Sequence, residues 1–463
     1  MSRPGDDQLP DALQRLRVEG LPRSDVPASL TSYLRWCTTP GLSIAVIDDG
    51  ALTATWCAGI RDVNTELPVD ARTRFQAGSI SKSVAAAVAL RLVAEGVLDL
   101  DDDVSDRLRS WQIPRNEGWL PRITLRQLLS HTAGLTVHGF PGYPAGQPVP
   151  SLPDVLDGAG NTPPVRVTTL PGLQFSYSGG GYCVLQQLLV DVTEMPFADL
   201  AYELVLEPVG MVDSTYAQPL PKEYVDVAAT GHRPGGRPVT GLWHTYPEQA
   251  AAGLWTTPAD LARFFVAVRD SRADRPGALL PKRLADDMAS PQASNRPYGL
   301  GLQLASDDEP PSIGHGGTDE GFRAYAVLYD TGRGAVLMTN GDTGDALIGD
   351  VVLPALAEHL DWPTAATTDS TTDPAAATAT ASPDSSREHA GTYRTEGRVL
   401  ELVPRGAELE LRALGQPPLR LVRRADGRWR CTTLQLDVTF PDACTVVLQQ
   451  HAEYVEDIVA TRA

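Results

Sequence analysis

The chain has 463 residues, enough for two or three domains with a sizeable core, and a formal net charge of -19 with a pI near 4.8. That acidity argues against nucleic acid and anionic membrane as partners. The five cysteines, Cys37, Cys57, Cys183, Cys431 and Cys444, show no CxxC spacing, so they read as free thiols of a reducing compartment and not as a disulfide frame or a zinc site.

In chain order, residues 1 to 38 read as helical and peripheral. They lack the apolar core of a secretory signal, and no run of about 18 apolar residues follows anywhere, so the expected location is cytoplasmic. GLSIAVIDDG and ALTATWCAGIRDV then read as two strands joined by a tight turn at Asp48, Asp49 and Gly50. A helix from Ser79 to a C-capping Gly96 is apolar on nearly every face, which predicts burial at the centre of a domain. Residues 120 to 290 are mostly helical with long loops. One of these, TVHGFPGYPAGQPVPSLPDVLDGAGNTPP, is dense in proline and glycine and is placed at the rim of a cleft. YGLGLQLA, FRAYAVLYD and GAVLMTNGD are strand candidates, and a helix spans Ala346 to His359. Strands at both ends with helices between predict an α+β fold: an antiparallel sheet flanked by helices, with an inserted helical subdomain. The expected domains are a catalytic unit over 1–363, a low-complexity linker over 364–387 and a small antiparallel barrel of about eight short strands over 388–463.

Three stretches carry chemistry. Lysine is scarce: only Lys82, Lys222 and Lys282 occur, against a background of arginine. Arginine cannot lose its proton in a protein, whereas lysine can. Lys82 lies three residues after Ser79, and positions i and i+3 share a helix face. A serine hydroxyl needs a base within hydrogen-bond reach, and a lysine freed of its proton by burial and nearby positive charge can be that base. Alone, the pair reads equally as a capped helix with a buried lysine paired to a carboxylate. The second stretch, QFSYSGGGY, puts Tyr177 on a glycine-rich turn, where its phenol can enter a cleft and share a proton with Lys82. The third, IGHGGTDEGF, surrounds His315 with glycines that permit close backbone approach to a ligand. There His315 can donate a hydrogen bond to substrate or to the tyrosine.

Together these residues resemble the serine β-lactamase and penicillin-binding protein superfamily, in particular its branch of class C β-lactamases, D,D-peptidases, D-aminopeptidases and esterases. Ser79 and Lys82 match its Ser-x-x-Lys box, Tyr177-Ser178-Gly179 its Tyr-x-Asn box, and His315-Gly316-Gly317 its third box. ITLRQLLSHTAGL, AAGLWTTPADLARF and YDTGRGAVLMTNGD are supporting landmarks. The resemblance covers roughly residues 25 to 362. It implies that Ser79 attacks an acyl carbonyl and that Lys82 and Tyr177 share the acid and base work. It also implies that the backbone N–H groups of Ser79 and Thr318 hold the oxyanion, with Ser178, Gly179, Gly316 and Gly317 against the substrate. Gly179 stands where the family usually has asparagine. That removes a hydrogen bond to an acyl side-chain amide, is expected to open space, and with histidine in the third box points toward an esterase or peptidase. The C-terminal strands resemble the small lipocalin-like barrels of some members, which could restrict the cleft or only stabilise the chain.

The expected partner is a small-molecule or peptide acyl substrate. An acyltransferase, including a cyclising peptide-release enzyme, would use the same chemistry, and a non-catalytic ligand-binding protein would use the same fold. His131 in SHTAGL is expected to pack or cap. No metal or cofactor is expected, since paired His/Cys spacing, a phosphate loop, a dinucleotide fingerprint and a GxSxG elbow are all missing.

Overall fold

In the computed structural model, residues 30–362 and 389–463 are described, apart from 396–397, 407, 414, 425–426, 432, 435 and 451–456. The linker and most of the N-terminal segment lie outside the described residues.

A helix, α1 (Leu30–Trp36), leads into β1 (Gly41–Asp48) and β2 (Ala51–Gly59). Asp49 and Gly50 join the two strands with φ of 48° and 68°. Two left-handed residues make the hairpin turn whose twist matches the strands it connects. The central helix α2 runs Ser81–Ala94, and α3 Gly179–Thr193. After them come α4 (Gln249–Ala252), α5 (Pro258–Arg272), β3 (Gln303–Leu304), β4 (Ser312–Asp319), β5 (Phe322–Tyr329) and β6 (Gly334–Thr339). The sheet order is β2-β1-β6-β5-β4-β3, and every pairing is antiparallel.

Alternation along β1 divides the core. Leu42, Ile44 and Val46 join Leu34, Trp56, Leu337 and Val352 on one face, under α1 and the C-terminal helical segment of this domain. Ala45 and Ile47 face the other way, into the larger cluster with Val88 and Phe265. Helix α2 is the centre of that cluster, and Val84 through Leu90 are all 0 % exposed. Its run of alanines permits close approach: a Cβ on Gly301 would lie 2.5 Å from that of Ala86. Gly96 ends the helix at φ 72°, as expected for a C-capping glycine.

Two elements depart from expectation. Only Gln303–Leu304 of YGLGLQLA pairs as strand, because Gly301 (φ 77°) turns the chain just before it. The helix expected over Ala346–His359 is wound as a π-helix over Leu347–Val352 before α6 (Leu353–His359). Pro354 offers no N–H there, which favours a shifted hydrogen-bond pattern.

Eight strands follow: β7 (Gly391–Thr395), β8 (Arg398–Arg405), β9 (Glu408–Ala413), β10 (Leu419–Arg423), β11 (Trp429–Cys431), β12 (Leu436–Thr439), β13 (Thr445–Gln450) and β14 (Ile458–Arg462). They close into a barrel, which leaves no exposed edge. The barrel sits on the larger N-terminal domain through polar clips. Gln416 accepts from Arg122 N at 2.9 Å and donates to Arg122 O at 2.6 Å. Trp119 Nε1 donates to Pro417 O at 3.0 Å, and Leu170 N donates to Gln450 Oε1 at 2.8 Å. No described helix is long and apolar enough to cross a membrane.

Candidate active site

Ser79 lies on a single 3₁₀ turn, Gly78–Ile80, immediately before α2. The turn presses onto β4 backbone to backbone. Gly78 has φ 52°, and a Cβ there would lie 2.4 Å from Thr318 N. A Cβ on Gly317 would lie 2.0 Å from Ala77 O. Neither glycine can carry a side chain without driving the Ser79 turn off the strand. This contact sets Ser79 beside Thr318 at the head of a helix, where first-turn N–H groups lack intrahelical partners.

Lys82 is 2 % exposed. Its Nζ lies 2.9 Å from Ser79 Oγ and 2.8 Å from Ala251 O. The rings of Tyr177 and Tyr182 are centred 5.0 and 5.8 Å from the same atom. No carboxylate lies within ion-pair distance of it among the described residues, so the alternative of a lysine locked in a salt bridge does not describe this site. Ala251 belongs to α4, within the landmark AAGLWTTPADLARF.

Tyr177 is held from behind by His131. The two rings are 4.1 Å apart, and His131 Nδ1 accepts from Ser178 N at 3.1 Å. Burial first, and then the charge of Lys82, holds His131 well below the usual histidine range, so it is a neutral packing group. Ser178 does not present its hydroxyl to a substrate. It is the N-cap of α3, accepting from Gly181 N at 2.9 Å and donating to Thr136 O at 2.8 Å. The space expected beside Gly179 is closed as well. A Cβ there would meet Phe140 Cε2 at 2.7 Å and His138 O at 3.0 Å. The rim loop has moved an aromatic ring into the gap that the missing side chain leaves.

His315 requires a further correction. It is 1 % exposed, and both ring nitrogens are engaged inside the protein. Nδ1 donates to Gly316 O at 2.6 Å, which leaves Nε2 to accept from Tyr298 OH at 3.0 Å. The hydrogen bond expected from His315 to substrate or Tyr177 is therefore replaced by one to Tyr298. Burial is the main cause of a His315 pKa lowered to about 3, so the ring is neutral. Its geometry is that of a residue that shapes β4.

A cleft of about 960 Å³ lies over these groups. Ser79, Tyr177, His315, Gly316, Gly317 and Thr318 line it, with Phe140, Phe175, Tyr298 and Arg296 around them. None of the lining residues comes from the described part of the barrel. The volume is at the upper end of the range for small-molecule sites. Among the described residues no group of three or more His, Cys, Asp or Glu could hold a metal ion.

Sequence reasoning missed two buried acids. Asp319 follows Thr318 and is 4 % exposed. Burial holds it well above the usual carboxylate range, against the opposing pull of Lys82 and a hydrogen bond from the Gly78 backbone. Glu248 is 0 % exposed, and burial pushes it up to about 7. Neither of its carboxyl oxygens has a hydrogen-bond partner. The available signals were an acid inside a glycine-rich strand and an acid opening an alanine run. Tyr298 was missed because it lay in a stretch read as strand.

The chain is similar in sequence and in fold to known proteins. The chain is 26% identical over 338 residues to penicillin-binding protein 4 of Amycolatopsis lactamdurans, covering 69% of this chain and 85% of that protein. It is 25% identical over 332 residues to protein flp of Staphylococcus aureus strain MW2, covering 70% of this chain but only 62% of that relative's length. The fold matches the crystal structure of SurE with D-Leu at a TM-score of 0.59 and 23% identity, over 94% of this chain and 97% of that one. The Beta-lactamase family model matches residues 31–357. The chain belongs to that family, within the serine β-lactamase and penicillin-binding protein superfamily, whose members are in general serine hydrolases and in some cases non-catalytic.

Proposed function

We propose that the protein is a serine hydrolase that forms an acyl-enzyme at Ser79 on an ester or amide substrate, esterase-like or D-peptidase-like. The observation that carries this reading is the buried Lys82 amine, 2.9 Å from Ser79 Oγ, with no carboxylate within ion-pair distance among the described residues. As Oγ bonds to the acyl carbon, its proton passes to Lys82. The N–H groups of Ser79 and Thr318 take the developing oxyanion, and losing one such donor typically costs about 3 kcal/mol of transition-state stabilisation. When the bond to the leaving oxygen or nitrogen breaks, that atom takes the Tyr177 proton, which Lys82 restores. Water then attacks the acyl-enzyme with the same groups in reverse. His315 and Tyr298 are positioning residues that hold β4 against the nucleophile turn.

The test is intact mass after brief exposure to an activated acyl ester. An acyl adduct in the wild type and none in Ser79→Ala is the expected result. Absence of adduct and of ester turnover in both proteins would overturn it in favour of a ligand-binding protein of the same fold.

A second reading is transfer of the acyl group to an amine. The fold neighbour SurE, which matches almost end to end, was crystallised with D-Leu, a molecule that carries an amine. Added amine acceptors should then yield acyl-amine product. Faster turnover without that product would sink this reading.

A further inference from the structure

The wall of the cleft beside α3 is aromatic, and it is built. Phe140, Phe175 and Tyr177 all line the cleft that contains Ser79, each partly buried. The rings of Phe175 and Tyr177 are centred 6.4 Å apart. Phe140 owes its place to Gly179, since any side chain at 179 would collide with its ring edge at 2.7 Å. Phe175 is fixed by Asn295, which accepts from its backbone N at 2.9 Å and reaches its carbonyl at 3.5 Å. Arg296 and Asp345 also line the cleft, and both are polar and exposed.

We propose that Phe140, Phe175 and Tyr177 form the acyl subsite, and that the group carried on Ser79 has a large apolar, preferentially aromatic, side chain. This rests on the reading of Ser79 as nucleophile. The assignment to the acyl half follows from the course of the reaction. The acyl group stays bound through both half-reactions, so it gains most from the fixed, partly buried wall. The leaving group and the incoming acceptor must exchange, and the exposed, solvated part of the cleft serves them. With position 179 closed to an amide-bearing side chain, α3 contributes apolar contact there and no side-chain hydrogen bond.

The experiment compares kcat/KM for p-nitrophenyl acetate and p-nitrophenyl 3-phenylpropionate, which share a leaving group. One extra methylene in a fitted pocket is worth about 10- to 200-fold, so the wild type, which gains a whole benzyl group, should prefer the phenylpropionyl ester by at least about tenfold. In Phe140→Ala the ratio should fall at least about tenfold. Phe140→Leu, which keeps an apolar side chain and packs more conservatively, should give a ratio between the two. A wild-type ratio near one, or a ratio unchanged in both variants, would overturn the subsite. So would a preference that tracks aromatic groups in the alcohol half. Failure of both esters to acylate Ser79 would instead overturn the nucleophile reading, so the two failures are distinguishable.

Discussion

In β9 of the barrel, Leu409, Leu411 and Ala413 are buried, while Glu408, Glu410 and Arg412 between them face outward. Those outward groups satisfy one another: Glu410 accepts from Arg405 and Arg412, and Glu408 pairs with Arg420. In β4 of the six-stranded sheet the same alternation buries different groups. Ile313, His315, Gly317 and Asp319 are buried, Ser312 and Gly316 are half-buried and Thr318 is exposed, with buried Gly314 the one departure. Asp319 Oδ2 has no hydrogen-bond partner. Both strands follow the rule of a two-faced sheet. The barrel strand buries aliphatic side chains, whereas the site strand buries glycine, a neutral histidine and an acid, because another backbone has to fit where side chains would pack. Departure from apolar filling marks where stability has been exchanged for chemistry.

Lys82→Arg tests that contrast most severely. Arginine keeps a basic group and much of the reach but cannot give up its proton. If the site keeps lysine because it needs a removable proton, acylation of Ser79 should fall by roughly three to four orders of magnitude. Burst kinetics with an activated ester would read it. An arginine variant acylated within about tenfold of wild type would show that Lys82 is a positioning cation, and the contrast with the barrel would then be one of packing alone.

The same contrast explains what could be read from the sequence. All eight barrel strands were visible, because side chains that alternate between core and water leave a period of two. The β1–β2 hairpin was visible through Asp49 and Gly50, and the central helix through its length and glycine cap. The Ser79–Lys82 contact followed from helix geometry alone. What stayed hidden depends on tertiary placement. Nothing local says that Phe140, thirty-nine residues before Gly179, fills the gap that glycine leaves. Nor does any spacing turn His315 toward Tyr298, or the Ser178 hydroxyl into a helix cap.

A smaller effect should come from Glu248. Its carboxyl is buried, unpaired and pushed up to about 7, against an ordinary value of 4.5. Below pH 4.5 folded and unfolded chains both hold the proton, and the protein has its full stability from this group. As pH rises through about 7, the unfolded chain has already released a proton that the folded chain retains, so stability falls and then levels off. The gap corresponds to about 3 kcal/mol. Glu248→Gln should remove that slope, leaving the contribution of Asp319, which has the same sign, in both proteins. Urea unfolding of the two chains at pH 5 and pH 8 would measure the difference, about 3 kcal/mol at most. Parallel stability profiles would mean that Glu248 is solvated in solution and that the site does not carry this buried acid.

The smallest effect should arise where the barrel meets the larger domain, and there the prediction is of stability without chemistry. Gln416 imitates a strand neighbour, with its amide pairing both backbone groups of Arg122 at 2.9 and 2.6 Å. Gln416→Ala would leave both groups partly buried without partners, at a cost of about 1–2 kcal/mol. Gln416→Glu keeps the acceptor for Arg122 N but sets a carboxylate oxygen against Arg122 O, so it should cost more than alanine. The clips from Trp119 to Pro417 and from Leu170 to Gln450 remain in either variant, so the barrel should stay docked at room temperature. Thermal unfolding followed by tryptophan fluorescence should therefore shift, while the rate of Ser79 acylation below the transition stays at the wild-type value. If acylation slowed in step with stability, the barrel would be helping to hold the segment from Leu170 to Tyr177 in place, and the division between a packing region and a chemical region would fail at this interface.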